Sequence, residues 1–189
     1  MSFLRIRPLF SKRLLSSMVK QNFPEVCENG INRQINMELC ASYVYLAMSY
    51  HFNREDVALN GLHTFFKKAS HEEAQHAEKF MQYLNKRGGR ILLEPIKKPT
   101  ENSWTPECAL IAALEMEKEV NKSLLEMHGV ACKENDSNFC DFLEAEFLQE
   151  QVDGIKELAD LLTSLKRCGD GLGVYIFDKN LENTDMHKK

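Results

Sequence analysis

The chain has 189 residues and a mass of 21.8 kDa; 43% of it is apolar, and 24 Lys and Arg stand against 28 Asp and Glu for a formal charge of −4. Such a chain can bury a core in one domain, or in one domain plus a tail, which excludes global disorder, and its acidic balance argues against a nucleic-acid binder. No window approaches eighteen uncharged apolar residues, so no membrane-spanning helix is predicted.

The average charge hides a division. Residues 1–20 hold Arg5, Arg7, Lys12, Arg13 and Lys20 and no acid, so the remaining 169 residues carry a net of −9. Residues 1–20 are also rich in serine (Ser2, Ser11, Ser16, Ser17) and hold apolar Phe3, Leu4, Leu9, Phe10, Leu14 and Leu15. An acid-free, Arg- and Ser-rich stretch of amphipathic potential reads as a mitochondrial transit peptide, with a disordered basic tail as the alternative. Met18 offers a second start, which would yield a cytoplasmic product. The expected division is a leader at 1–20 and one folded domain at 21–189.

Beyond the leader, Pro and Gly punctuate a helical text. Four long helices are predicted at about 25–53, 60–87, 106–133 and 138–167, and a short fifth at about 172–181. Thr105 before Pro106 forms a good helix start, Gly88-Gly89 closes the second helix, and Asn135-Asp136-Ser137 separates the third from the fourth. The connection at 88–105 is long enough to run the length of a bundle, so helices two and three are expected to lie parallel. No sustained alternation or hairpin signal points to strands. The expected fold is all-α: a four-helix bundle with one long crossover and a short fifth helix.

Polar residues interrupt the apolar stripes. The first helix reads Ile31, Ile35, Glu38, Ala41 or Ser42, Tyr45, Met48, Phe52 along its inner face. The second reads Leu62, Phe66, Ala69, Glu73, His76, Phe80, Tyr83, and the third Leu110, Ala113, Glu117, Val120, Leu124, Met127. The fourth reads Glu144, Leu148, Gln151, Ile155, Leu158, Leu162, Leu165. Each long helix thus sends a polar group inward at mid-length. Buried carboxylates without partners cost several kcal/mol each, and no Lys or Arg lies within these stripes. A bound cation resolves the conflict, and carboxylates with one imidazole suit iron or manganese. A single Glu on an apolar face, or a single Glu-x-x-His, is ordinarily a boundary pair; four helices agreeing at one level are not.

Glu73-x-x-His76 with carboxylates from neighbouring helices is the pattern of di-iron bundles. The symmetrical version needs a second Glu-x-x-His on the fourth helix, which has no histidine. One iron would take Glu38, Glu73 and His76; the other would take Glu73 as a bridge and Glu117, with Gln151 a weak partner. An under-coordinated pair suits iron that is oxidised and passed on better than a retained cofactor. The six cysteines (Cys27, Cys40, Cys108, Cys132, Cys140, Cys168) form no CxxC pair, and they read as free, small buried hydrophobes in a reducing compartment.

The segments at 31–52, 70–81, 85–99, 117–128, 140–158 and 171–179 closely resemble the ferritins of the catalytic heavy-chain type, over residues 22–181. The resemblance implies a ferroxidase centre at Glu38, Tyr45, Glu73, His76, Glu117 and Gln151, with Tyr45 beside the metals rather than on them. It implies ferrous iron and O2 as substrates, Fe(II)/Fe(III) as a transient di-iron pair, and a ferric mineral stored in a hollow cage of 24 copies of the chain, other ferritin subunits co-assembling or not. Asp141 and Glu144, near Cys140, would line the channels through which iron enters, and Glu72 and Glu78 would carry it onward. Gln75 replaces an acid common at its position, and Asn180 replaces a usual His beside Leu172 and Ile176 on the short helix. A cage subunit without catalysis and a di-iron oxygenase are the competing readings; the complete six-residue set disfavours the first and the absent second Glu-x-x-His the other.

Overall fold

A computed structural model describes residues 17–186, and every regular element among them is helical. Helix α1 spans Glu25–Phe52, α2 Asn60–Lys86 and α3 Pro106–Lys133. The fourth helix, α4, is composite: Ser137–Leu143, a π turn at Glu144–Leu148, then Gln149–Cys168. A fifth, α5, spans Leu172–Met186. The predicted transit segment lies almost wholly outside the described residues.

Contacts between helices set their directions. Ser42 Oγ donates to the Ser70 carbonyl at 2.7 Å and Ser49 Oγ to the His63 carbonyl at 2.9 Å, so α2 runs antiparallel to α1. Ser123 Oγ donates to Gln34 Oε1 at 2.6 Å and Tyr45 OH to Glu117 Oε1 at 2.5 Å, so α3 also runs antiparallel to α1. Helices α2 and α3 are therefore parallel, and the crossover at 87–105 spans the bundle as expected. One face of α1 straps it down at steps of four residues. Glu28 Oε1 accepts from Arg90 N at 2.7 Å, Asn32 Oδ1 accepts from Leu92 N at 2.8 Å, and Asn36 Nδ2 donates to the Glu94 carbonyl at 3.2 Å.

The helix ends follow local chemistry where it is strong. Thr105 Oγ1 accepts from Cys108 N at 3.1 Å with Pro106 in the first turn, and Asp136 Oδ1 accepts from Phe139 N at 3.1 Å. Gly88 takes the left-handed φ of +78° that ends α2. The same Asp136 receives a bidentate pair from Arg87, at 3.0 and 2.7 Å, which joins the end of α2 to the start of α4.

Two expectations change. The inward stripe at the start of α4 is Phe139, Leu143 and Phe147, while Glu144 is exposed. Buried residues recur at steps of four from Phe139 to Gln151, then at steps of seven to Leu158 and Leu165. Steps of four drift about 40° each on a 3.6-residue helix, and the wider π turn takes up the drift. The cysteines differ too: all are free, but Cys27 alone is buried, and Cys108, Cys132 and Cys168 are exposed.

Helix α5 extends past its expected end at 181, and residues within the expected range dock it on α2. Phe177 and Leu181 join the core around Leu62 and Phe66. Asp178, 1% exposed, accepts from Leu62 N at 2.8 Å. Since Leu59 provides no side-chain cap, a residue over a hundred positions away fills the capping role for α2. Gly61 makes the approach possible, because a Cβ there would stand 2.0 Å from the Asp178 carbonyl oxygen. Gly61→Ala is expected to push α5 off α2 at a cost of about 1–3 kcal/mol, the usual range for overpacking. A lower urea midpoint with faster amide exchange in residues 172–182 checks this; unchanged exchange there would refute it.

Candidate metal centre

The bundle core consists of two apolar clusters. One holds Cys27, Ile31, Ile35, Phe80, Leu124 and Phe147, and the other Tyr45, Phe52, Phe66, Leu110 and Leu158. Between them lie Glu38 (0% exposed), Glu73 (5%), Glu117 (7%) and Gln151 (7%), one from each long helix. Periodicity places each of these residues inward; the parallel α2–α3 arrangement then brings them to one level.

Glu38, Glu73 and His76 each present a ligand atom within 4.8 Å of the other two. Glu73 and His76 are one helical turn apart on α2, with His76 Nδ1 3.4 Å from Glu73 Oε2. Glu38 faces them from α1. Its Oε1 accepts from Gln34 Nε2 at 2.8 Å, and Gln34 is itself held by Ser123. Its Oε2 is fully buried with no hydrogen-bond partner. A buried carboxylate oxygen left bare beside another carboxylate and an imidazole is a donor set suited to a hard or borderline cation.

Glu117 also lies close to Glu73. It accepts the short bond from Tyr45 OH, and Gln151 Nε2 donates to its backbone carbonyl at 3.3 Å. Tyr45 therefore orients Glu117. Gln151 borders the same cavity, of about 160 Å³, which is walled by Tyr45, Glu73, His76, Glu117 and Leu158. Glu72 lines it as well, 3.4 Å from Lys68. Glu78 and Gln75 are exposed on α2 and outside the cavity wall. Asp141 and Glu144 are not brought to this centre; they border a surface depression with Cys132 and Cys140.

Two participants escape the periodicity. Glu150 places Oε1 3.3 Å from His76 Nε2, at the cavity wall. It is 100° from Gln151 on the helical wheel, a flank position from which only a long side chain reaches inward. Gln34, which the inward stripe of α1 does not include, is fully buried.

Crowding of acids in a dry layer shifts their protonation. Burial, then the Glu73 carboxylate, pushes Glu38 well above the usual carboxylate range. Burial and the Glu117 carboxylate raise Glu73 to about 8. Burial and Glu117 also push the Tyr45 phenol up, so it remains a hydrogen-bond donor. The folded chain thus holds protons on Glu38 and Glu73 more tightly than the unfolded chain does. Their contribution to stability is fully present below the ordinary carboxylate range and is lost as pH rises toward about 8. Iron-free Glu73→Gln is expected to unfold at a higher temperature than the unsubstituted chain, by a margin that widens from about pH 5 to about pH 8. Calorimetry across that range checks it, and a margin independent of pH would contradict it.

Residues 28–168 match the ferritin-like domain family. The chain is 62% identical to a ferritin heavy chain of Echinococcus granulosus over 164 residues, 86% of this chain and 95% of that one. It is 57% identical to a soma ferritin of Lymnaea stagnalis over 164 residues, 86% and 94% of the two chains. To a middle-subunit ferritin of Aquarana catesbeiana it is 52% identical over 169 residues, 87% and 96% of the two. With a Glu-and-His centre between the two halves of a crossover bundle, and relatives of this identity along nearly their whole length, the chain belongs to the ferritin family.

Proposed function

We propose that this chain is a ferroxidase subunit that oxidises ferrous iron with O2 and stores the ferric product inside a protein cage. The observation that carries the reading is the convergence of Glu38, Glu73 and His76 on a buried layer with one carboxylate oxygen unpartnered. Iron is the substrate. One ferrous ion takes Glu38, Glu73 and His76; a second takes Glu117 and the shared Glu73, with Gln151 as a weak ligand. Each ion gives one electron to O2, which leaves as peroxide, and hydrolysis of the ferric ions releases protons and ferric oxo-hydroxide. The chain supplies positioning: Gln34 and Ser123 hold Glu38, and Tyr45 holds Glu117. Protons retained on Glu38 and Glu73 leave as the cations bind.

The exposed acids support a route for iron. Asp141 and Glu144 are proposed to draw ferrous ions in, and Glu72, at the cavity wall, and Glu78, outside it, to pass them on, an attraction that weakens with salt. The family relationship implies assembly into a cage. Tyr43 and Tyr50 on α1 and Leu92, Leu93 and Ile96 on the crossover beside it are all exposed, an apolar strip suited to a neighbouring copy. A closed shell of 24 copies is the assembly proposed, with co-assembly of other ferritin subunits open. The acid-free basic stretch at 1–20 supports import into the mitochondrion, with a cytoplasmic form from Met18 as the alternative.

Replacing Glu73 and His76 together, as Glu73→Gln with His76→Ala, should leave assembly intact by analytical ultracentrifugation. It should slow O2-dependent iron oxidation by at least about 100-fold, since losing even an outer-shell partner of a metal ligand costs about 10–100-fold. Unchanged oxidation rates in that variant would overturn the assignment. Mass spectrometry of the native N-terminus should show a chain beginning near residue 20; a mass corresponding to an intact leader would overturn the import reading.

A further inference from the structure

Among the described residues one pair of cysteines is in contact. Cys132, in the last turn of α3, places Sγ 3.3 Å from Sγ of Cys140, near the start of α4. The turn between them, with Asn135 at a left-handed φ of +56°, folds α4 back on the end of α3. Asp136 holds that turn, accepting from Phe139 N and from both ends of the Arg87 fork, so the two sulfurs meet at a fixed junction. Cys132 is exposed and Cys140 is half-buried.

The contact has the parts of a thiol redox couple. His128, one turn before Cys132 on the same face of α3, places Nδ1 3.7 Å from Cys132 Sγ. Its other nitrogen, Nε2, lies 2.6 Å from Glu144 Oε1. A thiol, a base that takes its proton, and a carboxylate that orients the base and balances the imidazolium form the series found at activated cysteines. Cys132 is therefore the attacking thiol, since it has the base beside it and faces solvent. Cys140 is placed to react with whatever Cys132 becomes. A bond of about 2.05 Å between the sulfurs requires each to move by roughly 0.6 Å, within the reach of side-chain rotation. Thiols held this close react with one another well ahead of thiols on separate molecules.

We propose that Cys132 and Cys140 form a peroxide-reactive dithiol that closes to an intrachain disulfide, a second redox site apart from the carboxylate layer. The Cys132 thiolate attacks one oxygen of hydrogen peroxide and the O–O bond breaks. The sulfur keeps one OH as a sulfenic acid; the other oxygen leaves as hydroxide, takes the proton held on His128 and becomes water. The Cys140 sulfur then attacks the Cys132 sulfur, the S–O bond breaks, and the OH leaves with the Cys140 proton as a second water. The two sulfurs lose two electrons and the peroxide gains them. Supply of that peroxide by iron oxidation rests on the ferroxidase reading, while the thiol chemistry does not. The new bond ties the end of α3 to the start of α4 beside Asp136, Asp141 and Glu144, the acids of the surface depression.

The test uses reduced, iron-free assembled protein with Cys108→Ser and Cys168→Ser removing the other exposed thiols, and hydrogen peroxide added at one equivalent per chain. Trypsin cuts after Lys133, so the disulfide shows in an unreduced digest as residues 123–133 joined to 134–156. That joined peptide is expected from chains that run as monomers on a non-reducing denaturing gel, and dithiothreitol should separate it. Cys140→Ser should stop at a sulfenic acid on Cys132 that dimedone traps, and Cys132→Ser should give neither product. His128→Asn should slow sulfenic acid formation by about tenfold, since an unassisted thiol is only a few per cent ionised at neutral pH, and leave the closing step unchanged. Thiols recovered intact, sulfinic acid in place of the disulfide, or cross-links between chains would overturn the dithiol. In a second arm ferrous iron and air replace the added peroxide. The joined peptide should form again, but not in a chain that also carries Glu73→Gln and His76→Ala. Closure by added peroxide without closure by iron and air would overturn the supply alone and leave the dithiol standing.

Discussion

Everything in this molecule is arranged around a layer of acid in the middle of an oily bundle. Glu38, Glu73 and Glu117 are each at least nine-tenths buried, with no lysine or arginine buried among the described residues. Burying one such charge unpaired costs several kcal/mol, and three at one level repel each other as well. The folded chain limits this cost by retaining protons, as the raised pKa values of Glu38 and Glu73 indicate. It tolerates the rest because two apolar clusters, above and below the layer, hold the helices in place. The instability of the layer is also its usefulness: a cation removes the repulsion and completes the ligand sets. Stability is given up where binding requires it.

The supporting structure keeps that layer level. Donors from four helices meet only if the helices have a defined vertical register, and the crossover strapped to Glu28, Asn32 and Asn36 fixes α1 against the segment joining α2 to α3. The Arg87–Asp136 pair fixes α2 against α4 at one end of the bundle. At the other end α5 caps α2 through Asp178, and its Leu181 closes one wall of the cavity that leads to the centre. The π turn of α4 sits beside the layer, and its Phe147 stacks on Phe80 at 4.2 Å and packs edge-on against His76.

Two groups of ligand-type side chains occupy separate places in this fold. Oxygen ligands and one imidazole lie deep in the bundle, where exclusion of water strengthens every electrostatic interaction. Cys132, Cys140 and His128 lie nearer the surface, at a helix junction built by a turn. The π turn that begins at Glu144 connects the two regions along α4, and Glu144 itself belongs to the surface group.

The chain's own order determined a good deal. Four long helices with their ends, the crossover, and the inward setting of Glu38, Glu73, His76, Glu117 and Gln151 follow from periodicity, proline and glycine placement and capping chemistry, all of which act within a few residues. What escaped such reading depends on which surface covers which. The outward turn of Glu144 reflects a drift that accumulates over three steps of four residues and is corrected by a π turn, invisible to a fixed 3.6-residue period. Gln34 is buried because α3 presents Ser123 to it, and Glu150 reaches His76 because α2 happens to lie within its length. The cysteines, which resemble core residues by composition, were sorted into buried and exposed by the packing of neighbours. Local sequence decides where a side chain points along its own helix; only tertiary structure decides what it meets there, because the partner comes from a part of the chain that no local pattern encodes.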